Sequence, residues 1–202
     1  MARPRAFDKD AVIAVIKNVF WEKGFEGTSY TDLIAASGLH KGSLYQAFGD
    51  KRALYLRALA DYDAMEVEAG VSLLINPDNG NAVERIEALL EAVITAVRNH
   101  KDRRGCFLCN AAIDQAPVDP GTEEIVTLGL GRMHHAIEMA LSEVDPSRQH
   151  KNRIPSRSAP AAKNTASQIM ACYFGMRVMA KAGVPLSMLE QARDAIIIQL
   201  KG

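Results

Sequence analysis

Between His40 and Gln46 the chain crowds hydrogen-bond donors into a short stretch: His40, Lys41, Ser43, Tyr45 and Gln46, with Gly42 among them. Imidazole, ammonium, hydroxyl and amide groups can all donate to phosphate oxygens, and a glutamine amide can pair bidentately with the edge of adenine. Gly42 has no side chain, so a helix carrying these groups can come close to a sugar–phosphate backbone. A second cluster is Arg103-Arg104-Gly105-Cys106-Phe107-Leu108-Cys109-Asn110. Two thiols three residues apart share a helical face, and a helix N-terminus beside arginines lowers a thiol's pKa. Cys106 is then the candidate nucleophile, and Cys109 the thiol placed to resolve a sulfenic acid. The alternative for both is a small buried hydrophobe. His100, Cys106, Cys109, His134 and His135 are the residues a metal would need. Adjacent histidines on a helix point about 100° apart, and no second cysteine pair exists, so neither a metal nor a cofactor is expected.

Both clusters need helices to position them. Val12, Ile13, Ile16, Val19 and Phe20 form an apolar stripe at helical spacing, with Asp8 as N-cap, Phe7 and Val12 as a hydrophobic staple, and Gly24 at the end. Ser29 and Asp32 have capping-box spacing and open a short helix with Leu33, Ile34 and Ala36, which Gly38 closes. A third helix covers about 41–48, and Asp50 caps a long fourth one over about 51–74. Helices this short are not stable alone, so Leu33, Ile34, Leu39, Leu44 and Phe48 must pack on the first helix. That packing leaves His40, Lys41, Ser43, Tyr45 and Gln46 facing outward. After the breaker 76–81, helical segments follow at about 83–97, 105–115, 122–144, 161–182 and 187–200. The proline-bearing polar stretch 145–160 reads as a mobile loop. No alternating strand is evident, so the fold class is all-α with nine helices.

Composition sets the class. The 202 residues are 48% hydrophobic and 24% charged, as expected of a soluble globular protein. No stretch approaches the ~20 apolar residues of a membrane span, and the N-terminus does not read as a signal peptide. Three cysteines, an odd number, speak against a disulfide framework, so a cytoplasmic location is expected. Net charge is zero, yet residues 1–58 hold nine Lys/Arg against six Asp/Glu. The N-terminal quarter is therefore the basic part, which favours a polyanionic partner there. Phosphate-binding glycine loops, H-E-x-x-H and a nucleophile elbow are all missing, so an enzyme is not expected.

Three runs together resemble the N-terminal domain of TetR/AcrR-type transcriptional regulators. They are Gly24-Phe25-Glu26-Gly27-Thr28-Ser29, Ile34-Ala35-Ala36-Ser37-Gly38-Leu39, and Lys41 through Leu54 (KGSLYQAFGDKRAL). The resemblance covers about residues 8–56. It implies a three-helix helix-turn-helix DNA-binding domain (1–56) followed by a six-helix ligand-binding and dimerisation domain (57–202). It also implies a repressor that a small molecule releases from a palindromic double-stranded operator. Carried over residue by residue, Ser29 and Tyr30 meet a phosphate from the second helix. Lys41, Gly42, Ser43 and Gln46 face the groove, Tyr45 contacts a phosphate, and Lys51 reaches another. Arg3 and Arg5 could enter a neighbouring minor groove.

The regulatory half carries weaker signals. The Gly105-Cys106 segment resembles one found in a subset of the family, some of whose members use that cysteine to sense electrophiles or oxidants. A thiol-sensing repressor acting through Cys106 is therefore the alternative to a pocket for an unidentified inducer. Such a pocket would be lined by Phe107, Met133, Tyr173 and Met176, each of which is otherwise plain core. The stretches 161–182 and 187–200 hold more apolar surface than one face needs, with Ile196, Ile197 and Ile198 in succession. They are expected to build a four-helix bundle between two copies. A two-fold dimer then sets the recognition helices ~34–36 Å apart.

Overall fold

The computed structural model describes residues 7–144 and 158–201, and every described element is a helix or turn. Helix α1 is Lys9–Gly27, α2 Tyr30–Ser37 and α3 Lys41–Phe48. Helix α4 runs unbroken over 51–75: α-helical Lys51–Tyr62, a π turn at Asp63–Val67, and α-helical Glu68–Ile75. Then come α5 (Ala82–His100), α6 (Phe107–Asp114), α7 (Pro120–Val144), α8 (Ser158–Ala182) and α9 (Leu186–Lys201). These are nine helical rods among the described residues, as the sequence pattern predicts. The loop expected at 145–160 falls largely outside the described residues, as do Arg3 and Arg5.

The N-terminal helices fold as their caps dictate. The Asp8 carboxylate accepts from the N–H groups of Asp10 and Ala11. Ser29 and Asp32 form the reciprocal capping box, and Lys23 pairs with Asp32 at 2.6 Å. These bonds to the ionised form, chiefly those from Lys23 and Ser29, hold the Asp32 carboxyl well below the usual range. Gly24 takes φ 72°, and a Cβ there would lie 3.3 Å from the Asp114 carboxylate, so only glycine suits the kink. Helix α1 therefore bends at Gly24 and runs one turn further than expected, closed by the Thr28 hydroxyl donating to the Gly24 carbonyl. Ile16, Phe20, Leu33, Leu54 and Leu59 are almost wholly buried, each gaining about 1.5–3 kcal/mol from burial. Lys17 is buried too, paired at 2.9 Å with Asp61 of α4.

The boundary expected at residue 56 lies inside α4, so one helix belongs to both halves. Rings join the halves as well. Phe20 and Phe25 meet Tyr55 at 5.2 and 5.1 Å, Tyr55 meets Phe107 at 5.6 Å, and Tyr62 meets Phe107 at 5.7 Å. Two carboxylates, one at the end of α6 and one between α6 and α7, also grip the N-terminal half. Asp114 accepts from the Phe25 N–H at 3.3 Å, and Asp119 accepts from Arg52 at 2.6 Å. In the C-terminal half the fully buried Arg85 donates to the Leu74 carbonyl and pairs with Glu143, fixing the end of α4 against α5 and α7.

Candidate functional site

Helix α3 buries Leu44 and leaves His40, Lys41, Gly42, Tyr45 and Gln46 exposed, with Ser43 half-buried. Leu33 is fully buried, and Ile34, Leu39 and Phe48 pack against the same core, which is the division the apolar spacing predicts. Gly38 supplies the left-handed turn between α2 and α3, at φ 66°. His40 takes the N-cap position of α3 without a side-chain cap bond, so its imidazole is not spent on the helix end.

A stack of side chains organises this surface. The Tyr30 and Tyr45 rings lie 5.3 Å apart, and the Lys41 ammonium sits over both, 4.8 Å from Tyr30 and 5.6 Å from Tyr45. Tyr30 also accepts a hydrogen bond from the Lys51 N–H at 3.3 Å, tying α2 to the start of α4. Its hydrogen bond with Tyr30, with some burial, pushes the Tyr45 hydroxyl up to about 12, so it stays protonated and a donor. The Lys51 ammonium lies 4.5 Å from the centre of the Phe25 ring. The Ser29 hydroxyl is engaged in the capping box. Spacing alone did not show that Tyr30 would link three helices; the only trace is an aromatic at the first position of α2.

Around Cys106 the structure departs from expectation. Helix α6 begins at Phe107, not at 105: Gly105 takes φ 76° and Cys106 is the N-cap. Cys106 is buried and Cys109 half-buried. Arg104 does not face the thiol. It donates to Asp102 and Asn18 and stacks 3.8 Å over the Trp21 ring. The cation acting on the sulfur is Arg177 of α8. The Cys106 thiol is held below its ordinary value, first by its hydrogen bond with the Cys109 thiol and next by Arg177, against the cost of burial. The same hydrogen bond and burial push Cys109 up, and burial raises Cys172. Arg177 also donates to the Tyr173 hydroxyl at 2.7 Å. Nothing in the spacing of α8 marks Arg177 as facing this thiol, so sequence reasoning missed it.

Phe107, Met133, Tyr173 and Met176 are all buried in the common core. Among the described residues no group of His, Cys, Asp or Glu is arranged to hold a metal ion. No described helix is long and apolar enough to cross a membrane. In α9, Ile197 points inward and is 6% exposed, whereas Ile198 is 71% exposed. Met188 and Val178 are exposed as well, at 46% and 48%.

The chain is similar to known proteins in sequence and fold. The family described as bacterial regulatory proteins, tetR family, matches residues 12–58. The HTH-type transcriptional regulator YezE of Bacillus subtilis (strain 168) is 35% identical over 120 residues. That match takes in 59% of this chain and 61% of YezE, so the chain spans less than two thirds of that relative's length. The HTH-type transcriptional repressor ComR of Escherichia coli (strain K12) is 28% identical over 94% of this chain and 87% of its own. Among solved structures, a cysteine-substituted form of the TetR family regulator CifR, complexed with a 26-base-pair operator, superposes with TM-score 0.78. It is 26% identical, covering 96% of this chain and 98% of CifR. Residues 12–58 thus form a helix-turn-helix domain of the tetR family of bacterial regulatory proteins, and the nine helices of the described residues follow the plan of these relatives.

Proposed function

We propose that the protein is a cytoplasmic, homodimeric repressor that reads a palindromic operator with α3 and leaves it when a small molecule binds the C-terminal half. The observation that carries this reading is the outward face of α3, where Lys41, Tyr45 and Gln46 stand exposed on a helix anchored by Leu44. Gln46 and Lys41 address bases, with Ser43 and Gly42 at the closest approach. Tyr45, Lys51, Ser29, Tyr30 and His40 serve the phosphates. Residues 1–56 form the reading domain and 57–202 the regulatory and dimerisation domain, with α4 shared between them. Helices α8 and α9 supply the dimer contact, and the exposed Ile198, Met188 and Val178 support that choice over the buried Ile197. Retardation of the DNA upstream of the protein's own coding sequence tests the reading: a specific, competitor-resistant complex is expected, and none forming would overturn it. Ile198→Asp is expected to give monomers by sedimentation that lose specific operator binding, because one half-site supplies too few contacts. A variant that stays dimeric would move the interface elsewhere.

The surroundings of Cys106 favour a second route to release. A thiolate held by Arg177 attacks an electrophile, forming a sulfur–carbon bond as the leaving group departs, and the adduct disturbs the packing at the start of α6. Treatment with iodoacetamide should weaken operator binding by the wild type and not by Cys106→Ser.

A further inference from the structure

An open cleft of about 560 Å³ lies between the α5–α6 loop, the end of α8 and Glu22 of α1. It therefore lies at the junction of the two halves, the kind of place where ligand sites concentrate. Its walls carry Lys101, Arg103 and Lys181, none of which has a carboxylate partner among the described residues. The Asp102 charge is already taken by Arg104, and Glu22, whose charge also acts on Arg104, is the one other acid facing Lys101, Arg103 and Lys181 in this cleft. His100 and Lys181 sit near the C-terminal ends of α5 and α8, where a positive charge complements the helix dipole. That reason does not extend to Arg103, which lies beyond α5 and before α6. Lys101 is the left-handed C-cap of α5, at φ 51°, its N–H donating to the Ala96 carbonyl.

A second cleft of about 530 Å³ shares Lys101 and Arg103 and continues onto Val97, Val184, Pro185 and Leu186. Two unpaired cations thus stand where a polar cleft meets an apolar one. We propose that this junction binds a small organic anion, a carboxylate or phosphate monoester with a short hydrocarbon arm. Lys101 and Arg103 hold the headgroup, Lys181 adds to the field, and Val184 and Leu186 receive the arm. The inference deepens the proposed release by a small molecule and rests on that reading for its consequence, not for the binding itself. The loop that would close on the anion leads into α6, whose far end reaches Phe25 through Asp114, and the segment after it reaches Arg52 through Asp119.

Calorimetric titration of the full chain with octanoate and with octyl phosphate, below their micellar range and at fixed ionic strength, tests the site without DNA. At least one of the two should bind, with acetate and inorganic phosphate at least ten-fold weaker. The variant Lys101→Gly/Arg103→Ala, which suits the left-handed cap and keeps the fold, should lose binding ten-fold or more at unchanged melting temperature. Equal binding by this variant, or binding of neither probe, overturns the site. Operator titration with and without the bound probe then reads release. If the variant loses operator affinity with no anion present, the cleft serves the DNA backbone and the proposal falls.

Discussion

Helices α3 and α6 have the same length, eight residues, and opposite relations to water. Helix α3 buries Leu44 and turns Lys41, Tyr45 and Gln46 outward; α6 buries Phe107, Leu108 and Ala111 together with its N-cap Cys106. Neither is long enough to be stable by itself, so both depend on neighbours. Helix α3 is held along one edge, by Leu44 and by the stack of Tyr30, Lys41 and Tyr45. Helix α6 is wedged among the rings of Tyr55 and Tyr62 and tied at its end to Phe25. A helix that reads a duplex has to keep its donors in water until phosphates and bases replace that water. A helix that carries a change between two halves has to be gripped on several sides, because close-packed interiors pass displacement on and loose ones absorb it.

The comparison breaks most readily on stability. Phe107→Ala should cost ~3–5 kcal/mol in urea unfolding, the range for a fully buried phenylalanine touching two other rings. Gln46→Ala should stay within about 0.5 kcal/mol of wild type, as exposed substitutions usually do. Comparable losses in both variants would mean that α3 is as deeply integrated as α6.

The difference also explains what was legible in the sequence. Around α3 the signals are local. The capping box of Ser29 and Asp32, the turn at Gly38 and the apolar spacing of Leu33, Leu39 and Leu44 each fix geometry within a few residues, and all are met. The long-range partners were not legible. Arg177 stands 71 positions after Cys106 in the chain, and no periodicity in α8 says which side chain faces it. Arg104, adjacent in sequence, turns away to Trp21 because Asp102 and Asn18 offer it better hydrogen bonds. The join of Tyr55 to Phe107 is likewise a product of tertiary packing. In α9 three successive isoleucines all fit an apolar helix, and only packing on the rest of the chain separates the inward Ile197 from the outward Ile198.

On the reading side, Gln46→Ala should relax preference at one position of each half-site, costing ~1–3 kcal/mol against the preferred base. Binding-site selection that returns the same consensus for both proteins would show that Gln46 does not touch a base. A smaller effect is expected of Tyr45→Phe. It removes one uncharged hydroxyl donor, so affinity should fall similarly on all DNA with the slope of log K against log salt unchanged, whereas Lys51→Ala, which removes a charge, should shrink that slope by about 0.9. Unchanged affinity on all DNA would leave Tyr45 as a packing partner of Tyr30 and Lys41.

The finest difference lies in the thiols of the gripped helix and its surroundings. Alkylation requires the thiolate, so its rate follows the fraction ionised until the group is fully deprotonated. Cys106 is held below its ordinary value, so its rate should level off at a lower pH than the ~8.5 midpoint of a free thiol. Cys172 is shifted the other way by burial, and its rate should still be climbing at that pH. Burial slows both absolute rates, which is why the midpoint and not the speed is the measurement to make; peptide-resolved mass spectrometry after timed iodoacetamide pulses provides it. The two arginines can be told apart in the same experiment. Arg177→Met should raise the Cys106 midpoint, because it removes the cation that favours the thiolate. Arg104→Ala should leave it in place, since that guanidinium is committed to Asp102, Asn18 and Trp21. If instead Arg104→Ala moves the midpoint and Arg177→Met does not, the nearest arginine in the sequence governs the thiol, and the long-range account of this corner is wrong.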